Sequence, residues 1–386
     1  GGLALGVSLA GFRSLGVVEW DKWACETIRE NQRRAHPLVA GWRVHEADVR
    51  GFDWGSVSGG VDLLAGGPPC QPFSIGGRGR AYDDARDMFP AMIAAVRALE
   101  PRAFIVENVK GLLRSQFSDY YQYILLRLEF PERVIEKGET WEGHLRRLQK
   151  AKSSAPAPRS ELTYNVIPTL VNAANYGVPQ KRERVFIVGF RSDLGIEWSF
   201  PSPTHSLAAL RHAKRKGGEY WEKHRIALGN QALETCDACA DDGRKPWRTV
   251  RDALASLPDP MLGTSGVFNH DFRSGAKAYP GHTGSALDMP SKTLKAGVHG
   301  VPGGENMLIG DDGVPRYYTV REAARIQTFP DGYRLNGAWS EAMRQLGNAV
   351  PVRLGQIVAS SVSEALVKNE IEYLRKAMRR KGAKLA

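Results

Sequence analysis

The run Gly66-Gly67-Pro68-Pro69-Cys70-Gln71-Pro72-Phe73-Ser74 constrains this chain more than any other. It follows directly on the apolar segment Val61-Asp62-Leu63-Leu64-Ala65. A buried strand that empties into a Gly/Pro-rich loop places that loop beyond the carboxyl end of an α/β sheet, where such folds keep their sites. The glycines let the backbone turn and approach a ligand, and the prolines stiffen the path to Cys70. A thiol held in a rigid polar loop suits a nucleophile, whose reactivity depends on its thiolate form. A structural cysteine is the competing reading of the loop taken alone.

The pattern around the loop agrees with an α/β fold. Val17 to Trp20 reads as a strand ending on an acid, and Trp23 to Arg33 as a helix. Met88 to Leu99 reads as a helix, Phe104-Ile105-Val106 as a strand ending on Glu107-Asn108, and Tyr121 to Leu128 as a helix. Strands separated by helices predict a mostly parallel sheet. Strands resume at Tyr164-Asn165-Val166 and at Arg184 to Phe190. Between them, 130 to 161 is charged and then Ser/Pro-rich, which predicts a helical insertion with a mobile loop behind it. From about 201 to 315 the chain is rich in Gly, Pro, His and Lys without sustained periodicity, as in a smaller, loop-rich domain. Val320 to Gln327, Ser340 to Gln345 and Pro351 to Val367 read as helices returning to the first domain, and the basic tail Arg375 to Lys384 as a frayed or solvated helix. The expected division is 1–200, 201–315 and 316–386.

Lys plus Arg number 53 against 42 Asp plus Glu, a net charge of +11, which favours a polyanionic partner such as nucleic acid. Four cysteines are too few for a disulfide framework in 386 residues. With no apolar run long enough for a bilayer and no signal peptide, a cytoplasmic location is expected. Cys236-Asp237-Ala238-Cys239 would need two more ligands for zinc, from His205, His212, His224 or His270. No second pair stands at a standard spacing, so no metal is expected.

Other residues have chemistry to offer. Glu107, at a strand end in the same crevice, becomes a proton donor if burial raises its pKa, or else caps a helix. In Gln180-Lys181-Arg182-Glu183-Arg184, Arg182 and Arg184 alternate and so share one face of an extended chain. Two guanidinium groups there orient a carboxylate or a phosphate, or else belong to a charged strand entry exposed to solvent. Glu19 suits ribose hydroxyls and Trp20 suits stacking on adenine, while Asp48 suits the adenine amino group, and an ordinary turn or cap residue is the competing reading of either acid. Gly1, Gly2 and Gly6 look like the remains of a glycine-rich turn.

Together, the Pro-Pro-Cys-Gln loop, Glu107-Asn108-Val109, Gln180 to Arg184, Arg321 to Asp331 and Gly347-Asn348-Ala349-Val350-Pro351 resemble the ordered motifs of DNA cytosine C5-methyltransferases, of the bacterial restriction-modification type. The resemblance implies a Rossmann-like, S-adenosylmethionine-dependent sheet with a target-recognition domain over the poorly patterned stretch. It implies methyl transfer to C5 of a flipped-out cytosine in duplex DNA. Cys70 would attack C6, and Glu107 would hold a proton and bond N3 and the exocyclic amine. Arg182 would orient Glu107 or contact the base, and Arg184 would support the site. The cofactor pocket would draw on Gly1, Gly2, Glu19, Trp20, Asp48 and Val49, with Gly66, Pro68, Met88, Asn348 and Val350. DNA contacts would come from Gln71, Ser74, Arg78, Arg80 and Thr293, with the loop from Ser74 to Arg86 closing as a lid. The family's first strand and glycine turn would be represented only by Gly1-Gly2. A monomer in the bacterial cytoplasm, at the nucleoid, is expected, alongside an independently acting restriction endonuclease. A tRNA methyltransferase shares the motifs but has a short recognition region. A catalytically inactive DNA-binding relative is opposed by the set Cys70, Glu107 and Arg182. A nicotinamide-dependent oxidoreductase would not need the Cys70 loop.

Overall fold

The structure, a computed structural model, describes residues 1–69, 87–154, 158, 160–227, 229, 231, 242–263, 266–280, 283–296 and 306–382. Helix α1 (Gly2–Leu9) precedes β1 (Val17–Glu19), α2 (Lys22–Arg33) and β2 (Val44–Glu46). β1 and β2 pair in parallel. Asp21 caps α2 by accepting from Ala24 N at 2.9 Å, so this helix starts just beyond the acid that ends β1.

Then come β3 (Leu63–Gly66), α3 (Phe89–Leu99), β4 (Ala103–Val109), α4 (Ser118–Glu129), α5 (Trp141–Ser153), β5 (Tyr164–Asn172) and β6 (Glu183–Arg191). Four of these strands form one sheet in the order β3-β4-β6-β5. β4 is buried along nearly its whole length, as its continuous apolar sequence requires of a central strand. Its side chains alternate between two cores. Phe104 and Val106 pack with Phe89, Ile93 and Ile124 of α3 and α4, whereas Ala103 and Ile105 pack with Leu354 and Val358 on the opposite face.

The sheet is mixed rather than mostly parallel. β3 and β4 are parallel, but β6 runs antiparallel to both β4 and β5. The connection from β5 to β6 holds only a short 3-10 turn, Ala173–Tyr176, and is too short for the crossover a parallel partner needs. This reversal puts the start of β6 beside the end of β4, with Arg184 opposite Val109.

The expected insertion is helical. In α5, Leu145 and Leu148 join the core above β4, and Trp141 packs edge-on to Tyr120. His144 Nδ1 lies 2.9 Å from the Tyr123 hydroxyl and its Nε2 2.9 Å from the Arg133 carbonyl.

The next segment carries β7 (His205–Ser206), α6 (Leu207–Ala213), α7 (Glu219–His224), β8 (Lys245–Pro246), α8 (Val250–Leu254), β9 (Ser285–Ala286), β10 (Met307–Ile309) and β11 (Pro315–Tyr317). Leu210, Trp221 and Trp247 give it a small core of its own. Yet Val250, Ala253 and Leu308 pack into one cluster with Leu5, Ile28 and Ala324. The expected division between 315 and 316 falls inside β11, which pairs antiparallel with β10.

The chain returns through α9 (Val320–Ile326), α10 (Trp339–Asn348) and α11 (Val352–Gly382). A capping box starts α9, in which Thr319 and Glu322 each satisfy the other's backbone N–H. α11 packs on the sheet and comes backbone to backbone with α1. A Cβ on Gly6 would lie 2.5 Å from Gln356 N, and one on Gly2 would lie 2.0 Å from the Val350 carbonyl oxygen. Gly2 and Gly6 are therefore helical residues that permit close approach, not parts of a turn.

Candidate active site

A cavity of about 960 Å³ opens where β1, β3 and β4 end and β6 begins. Glu107, Arg182 and Arg184 all line it. Glu107 Oε1 accepts from Arg184 Nε at 2.8 Å, and both side chains are nearly buried. Burial raises the Glu107 pKa, opposed by the charges of Arg184 and Arg182 and by the Arg184 hydrogen bond. Its second oxygen, Oε2, faces Gly67, where a Cβ would stand only 3.2 Å away. The absence of a side chain at Gly67 thus keeps Oε2 accessible.

The two arginines divide the work differently from the expectation. Arg184, not Arg182, pairs with Glu107. Arg182 donates through Nη1 to the Leu294 carbonyl at 3.0 Å and through Nη2 to the Gly347 carbonyl at 2.7 Å. Its Nε has no hydrogen-bond partner among the described residues. Burial and the like charge of Arg184 lower its pKa well below the usual arginine value, while Glu107 acts the other way. Both guanidinium groups share one side of the strand start, as their alternation predicts.

The loop that leads to Cys70 is held in register with this pair. Gly66 lies opposite Val106, and Asn108 Nδ2 donates to the Pro68 carbonyl at 3.1 Å. Cys70, Gln71, Ser74, Arg78 and Arg80 lie outside the described residues, as does the expected lid. So do Cys236 and Cys239. Among the described residues no group of three or more His, Cys, Asp or Glu is placed to hold a metal. His270 has both ring nitrogens engaged at 2.8 Å, by Thr319 and the Pro258 carbonyl, and His224 lies 3.0 Å from Asp252. His212 lies 2.8 Å from Arg215 Nη1. Cys25 is a poor nucleophile, because burial and the charge of Glu19 push its thiol up to about 11.

The residues expected around a cofactor mostly share the same cavity. Glu19 and Trp20 line it from the end of β1, and Gly66, Pro68 and Met88 from the β3 side. Gly1, Gly2, Asn348 and Val350 line it where α1 meets the chain between α10 and α11. Glu19 Oε1 accepts from Trp20 N and Asp21 N, both at 2.9 Å, while the Trp20 indole is 72% exposed. Asp48 and Val49 do not line the cavity. The Asp48 side chain turns onto Arg50 Nε at 2.9 Å, and hydrogen bonds from Arg50 hold its pKa down at about 2. Arg50 itself reaches the lining, as do Phe329, Tyr333 and Arg344, which sequence reasoning missed. Phe329 stood within the Arg321 to Asp331 motif, but Tyr333 and Arg344 carried no local signal. Arg344 is brought in by its ion pair with Asp21 at 2.7 Å.

Thr293 ties the segment that carries β7 to β11 to the site. Its hydroxyl donates to the Lys181 carbonyl at 2.7 Å, and Lys181 N donates to the Ser291 carbonyl at 2.8 Å. Buried Gln180 accepts from Leu294 N at 3.1 Å and donates to Gln327 Oε1 at 3.2 Å. Gln327 in turn donates to the carbonyls of Leu346 and Ala349. A Cβ on Gly347 would meet Ala296 N at 2.3 Å, so only glycine admits this close approach. Three distant stretches of chain thus close around Arg182.

A family model described as C-5 cytosine-specific DNA methylase matches residues 1–131 and 157–364, leaving out the insertion that carries α5. The chain is 31% identical over 378 residues to the Type II methyltransferase M.PspPI of a Psychrobacter species, covering 95% of this chain and 77% of that protein. It is 31% identical over 384 residues to the Type II methyltransferase M.Eco47II of Escherichia coli, covering 95% and 78%. Among solved structures, the S. pombe Dnmt2 methyltransferase shares the fold at 17% identity and a TM-score of 0.54, over 95% of this chain and 96% of that one. The Rossmann-like methyltransferase fold, the motif order and the family match converge, and the chain belongs to the C-5 cytosine-specific DNA methylase family.

Proposed function

We propose that this enzyme transfers a methyl group from S-adenosylmethionine to C5 of a flipped-out cytosine within a specific duplex DNA sequence, through a covalent bond between Cys70 and C6. The observation that carries the reading is the shared cavity, in which the Glu107–Arg184 pair and the Glu19–Trp20 end of β1 both face one space. Its volume of about 960 Å³ has room for a nucleoside ligand and an extruded base together.

The residues fit the methyl donor. Glu19 keeps Oε2 for a ribose hydroxyl, and the exposed Trp20 ring offers a face to adenine. S-Adenosylmethionine, when bound, supplies an electrophilic methyl group on a sulfonium. Cytosine C5 is a poor nucleophile until the Cys70 thiolate adds to C6. Glu107 holds a proton at Oε2 for the ring N3, offsetting the charge that addition would place there. Arg184 fixes Oε1 so that Oε2 is presented, and Arg182 lines the same cavity behind the pair. After C5 is methylated, loss of the C5 proton restores the ring double bond and expels Cys70. Extruding the base costs a few kcal/mol, recovered by contacts to its Watson–Crick edge.

Glu107 gives a signed pH dependence. The form that donates to N3 is protonated, and burial raises the pKa, so kcat should fall as pH rises through that value. Glu107→Gln should lower kcat by about 10²–10⁴-fold, the range for general acid catalysis, and remove this alkaline limb. A wild-type limb identical to that of Glu107→Gln would assign the titration elsewhere.

The likeness to Type II methyltransferases supports a restriction-modification role, with an endonuclease that acts independently on the same sequence. Among the described residues no helix is long and apolar enough to cross a membrane. Bisulfite sequencing of DNA from bacteria expressing the chain tests the reading. Protected cytosines should recur at one position of one short sequence, and an unchanged genome would overturn it.

A further inference from the structure

A second cluster of charge stands near the cavity and takes no part in the chemistry above. His205 on β7 lies opposite Lys245 on β8, and its imidazole packs against Gly177, where a Cβ would be 2.6 Å from Cε1. The Arg353 Nε meets the same spot from the first turn of α11 and donates to the Tyr176 carbonyl at 2.9 Å. Arg248 follows Trp247, whose indole donates to Asn175 Oδ1 at 3.0 Å. Lys245, Arg248 and Arg353 are all exposed. Burial first, and then the charges of Arg353, Lys245 and Arg248, hold the His205 pKa down at about 4. Arg248 likewise lowers the pKa of Arg353, after burial.

Asp242, the described carboxylate three residues before Lys245, is taken up by Ser206 Oγ at 2.9 Å and by Arg244 at 4.0 Å. Like charges gathered together raise the free energy of the free protein, a cost that an anion between them offsets. Topology places the cluster on the working side of the molecule. Because β6 runs antiparallel to β4, the connection containing Tyr176 and Gly177 emerges at the same end of the sheet as Glu107. Arg353 stands three residues after Val350, which lines the cavity. Lys181, adjacent to Arg182, lies over the Trp247 ring at 5.6 Å.

We infer that Lys245, Arg248 and Arg353 form a phosphate-binding site that holds the DNA backbone beside the cytosine cavity, joining the recognition segment and α11 in one grip. The inference rests on duplex DNA being the substrate. Each cation that neutralises a phosphate releases condensed counterions, so the slope of log K against log salt becomes shallower by about 0.9 for each phosphate left without its cation.

The test uses the full chain and a fluorescein-labelled duplex of mixed sequence, titrated at several NaCl concentrations. Lys245→Gln with Arg248→Gln should weaken binding at low salt by about tenfold or more and reduce the slope by about 2. The KM for DNA should rise while kcat at saturating DNA stays near wild type. Lys137→Gln with Lys150→Gln, in the insertion, removes the same charge elsewhere and should leave the slope unchanged. Equal effects from both pairs, or no change from the first, would overturn the inference. A wild-type protein that binds but never methylates DNA would count against the proposed function instead, leaving the salt slopes to decide this site on their own.

Discussion

Replacing Cys70 by alanine is expected to abolish methyl transfer, by more than about 10⁴-fold, while duplex binding persists. Losses of this scale follow deletion of a covalent nucleophile, since no remaining group supplies the bond that activates the substrate. The change removes a single sulfur, so fold and DNA binding should survive. Two readouts separate chemistry from folding. Transfer of labelled methyl to DNA reports turnover. A duplex with 5-fluorocytosine at the target reports the covalent step, because fluorine at C5 cannot leave as a proton and the Cys70–C6 bond persists. Wild type should give a denaturation-resistant protein–DNA band and Cys70→Ala none. Residual methylation within tenfold of wild type would exclude Cys70 as the nucleophile.

The second large effect is on stability. Arg182→Ala should cost about 3–5 kcal/mol, the range for breaking a buried charged hydrogen-bond network from one side. The carbonyls of Leu294 and Gly347 would lose their charged donor inside the protein, and the volume of a fully buried arginine would be left behind. Arg182→Lys reaches one carbonyl at a time and should recover part of the loss. The urea midpoint of unfolding reads the difference. Arg184→Ala supplies the contrast, because Arg184 pairs with Glu107 rather than bridging segments. It should depress kcat more than it depresses the midpoint. An Arg182→Ala midpoint equal to wild type would mean that the segments are held together by other interactions.

Much of this was legible in the sequence because the site is built from contiguous motifs at strand ends. The apolar runs marked β1, β3, β4 and β6 to within a few residues, and the acid or glycines at the ends of the first three, with the arginines at the start of the fourth, marked the cavity wall. The strand direction of β6 was not legible, because periodicity reports which face a residue takes and not which way a neighbour runs. The roles of Arg182 and Arg184 could not be separated either. Alternation placed both on one side, but the partner that distinguishes them is the Leu294 carbonyl, more than a hundred positions away. The Asp48 side chain was placed by a local contact that the sequence did not announce. Arg50, two residues on, donates to its carboxylate and itself reaches the cavity lining. Much of the Arg321 to Asp331 motif turned out to be scaffold. Arg321 is buried on backbone carbonyls and Arg325 pairs with Asp331, so the motif shapes the cavity wall that Phe329 completes.

The tie from Gln180 through Gln327 to Leu346 and Ala349 has a consequence for how the protein is made. Synthesis delivers Cys70, Glu107 and both arginines to the ribosome exit long before residues 327 to 350 emerge. Until then Arg182 and Gln180 have no carbonyls from that stretch to bind, and the cavity lacks one wall. Interactions of such long sequence separation form late. A nascent or prematurely terminated chain can pair Glu107 with Arg184 but leaves their cavity open on one side, and competence to modify DNA arrives only when residues 327 to 350 fold onto it.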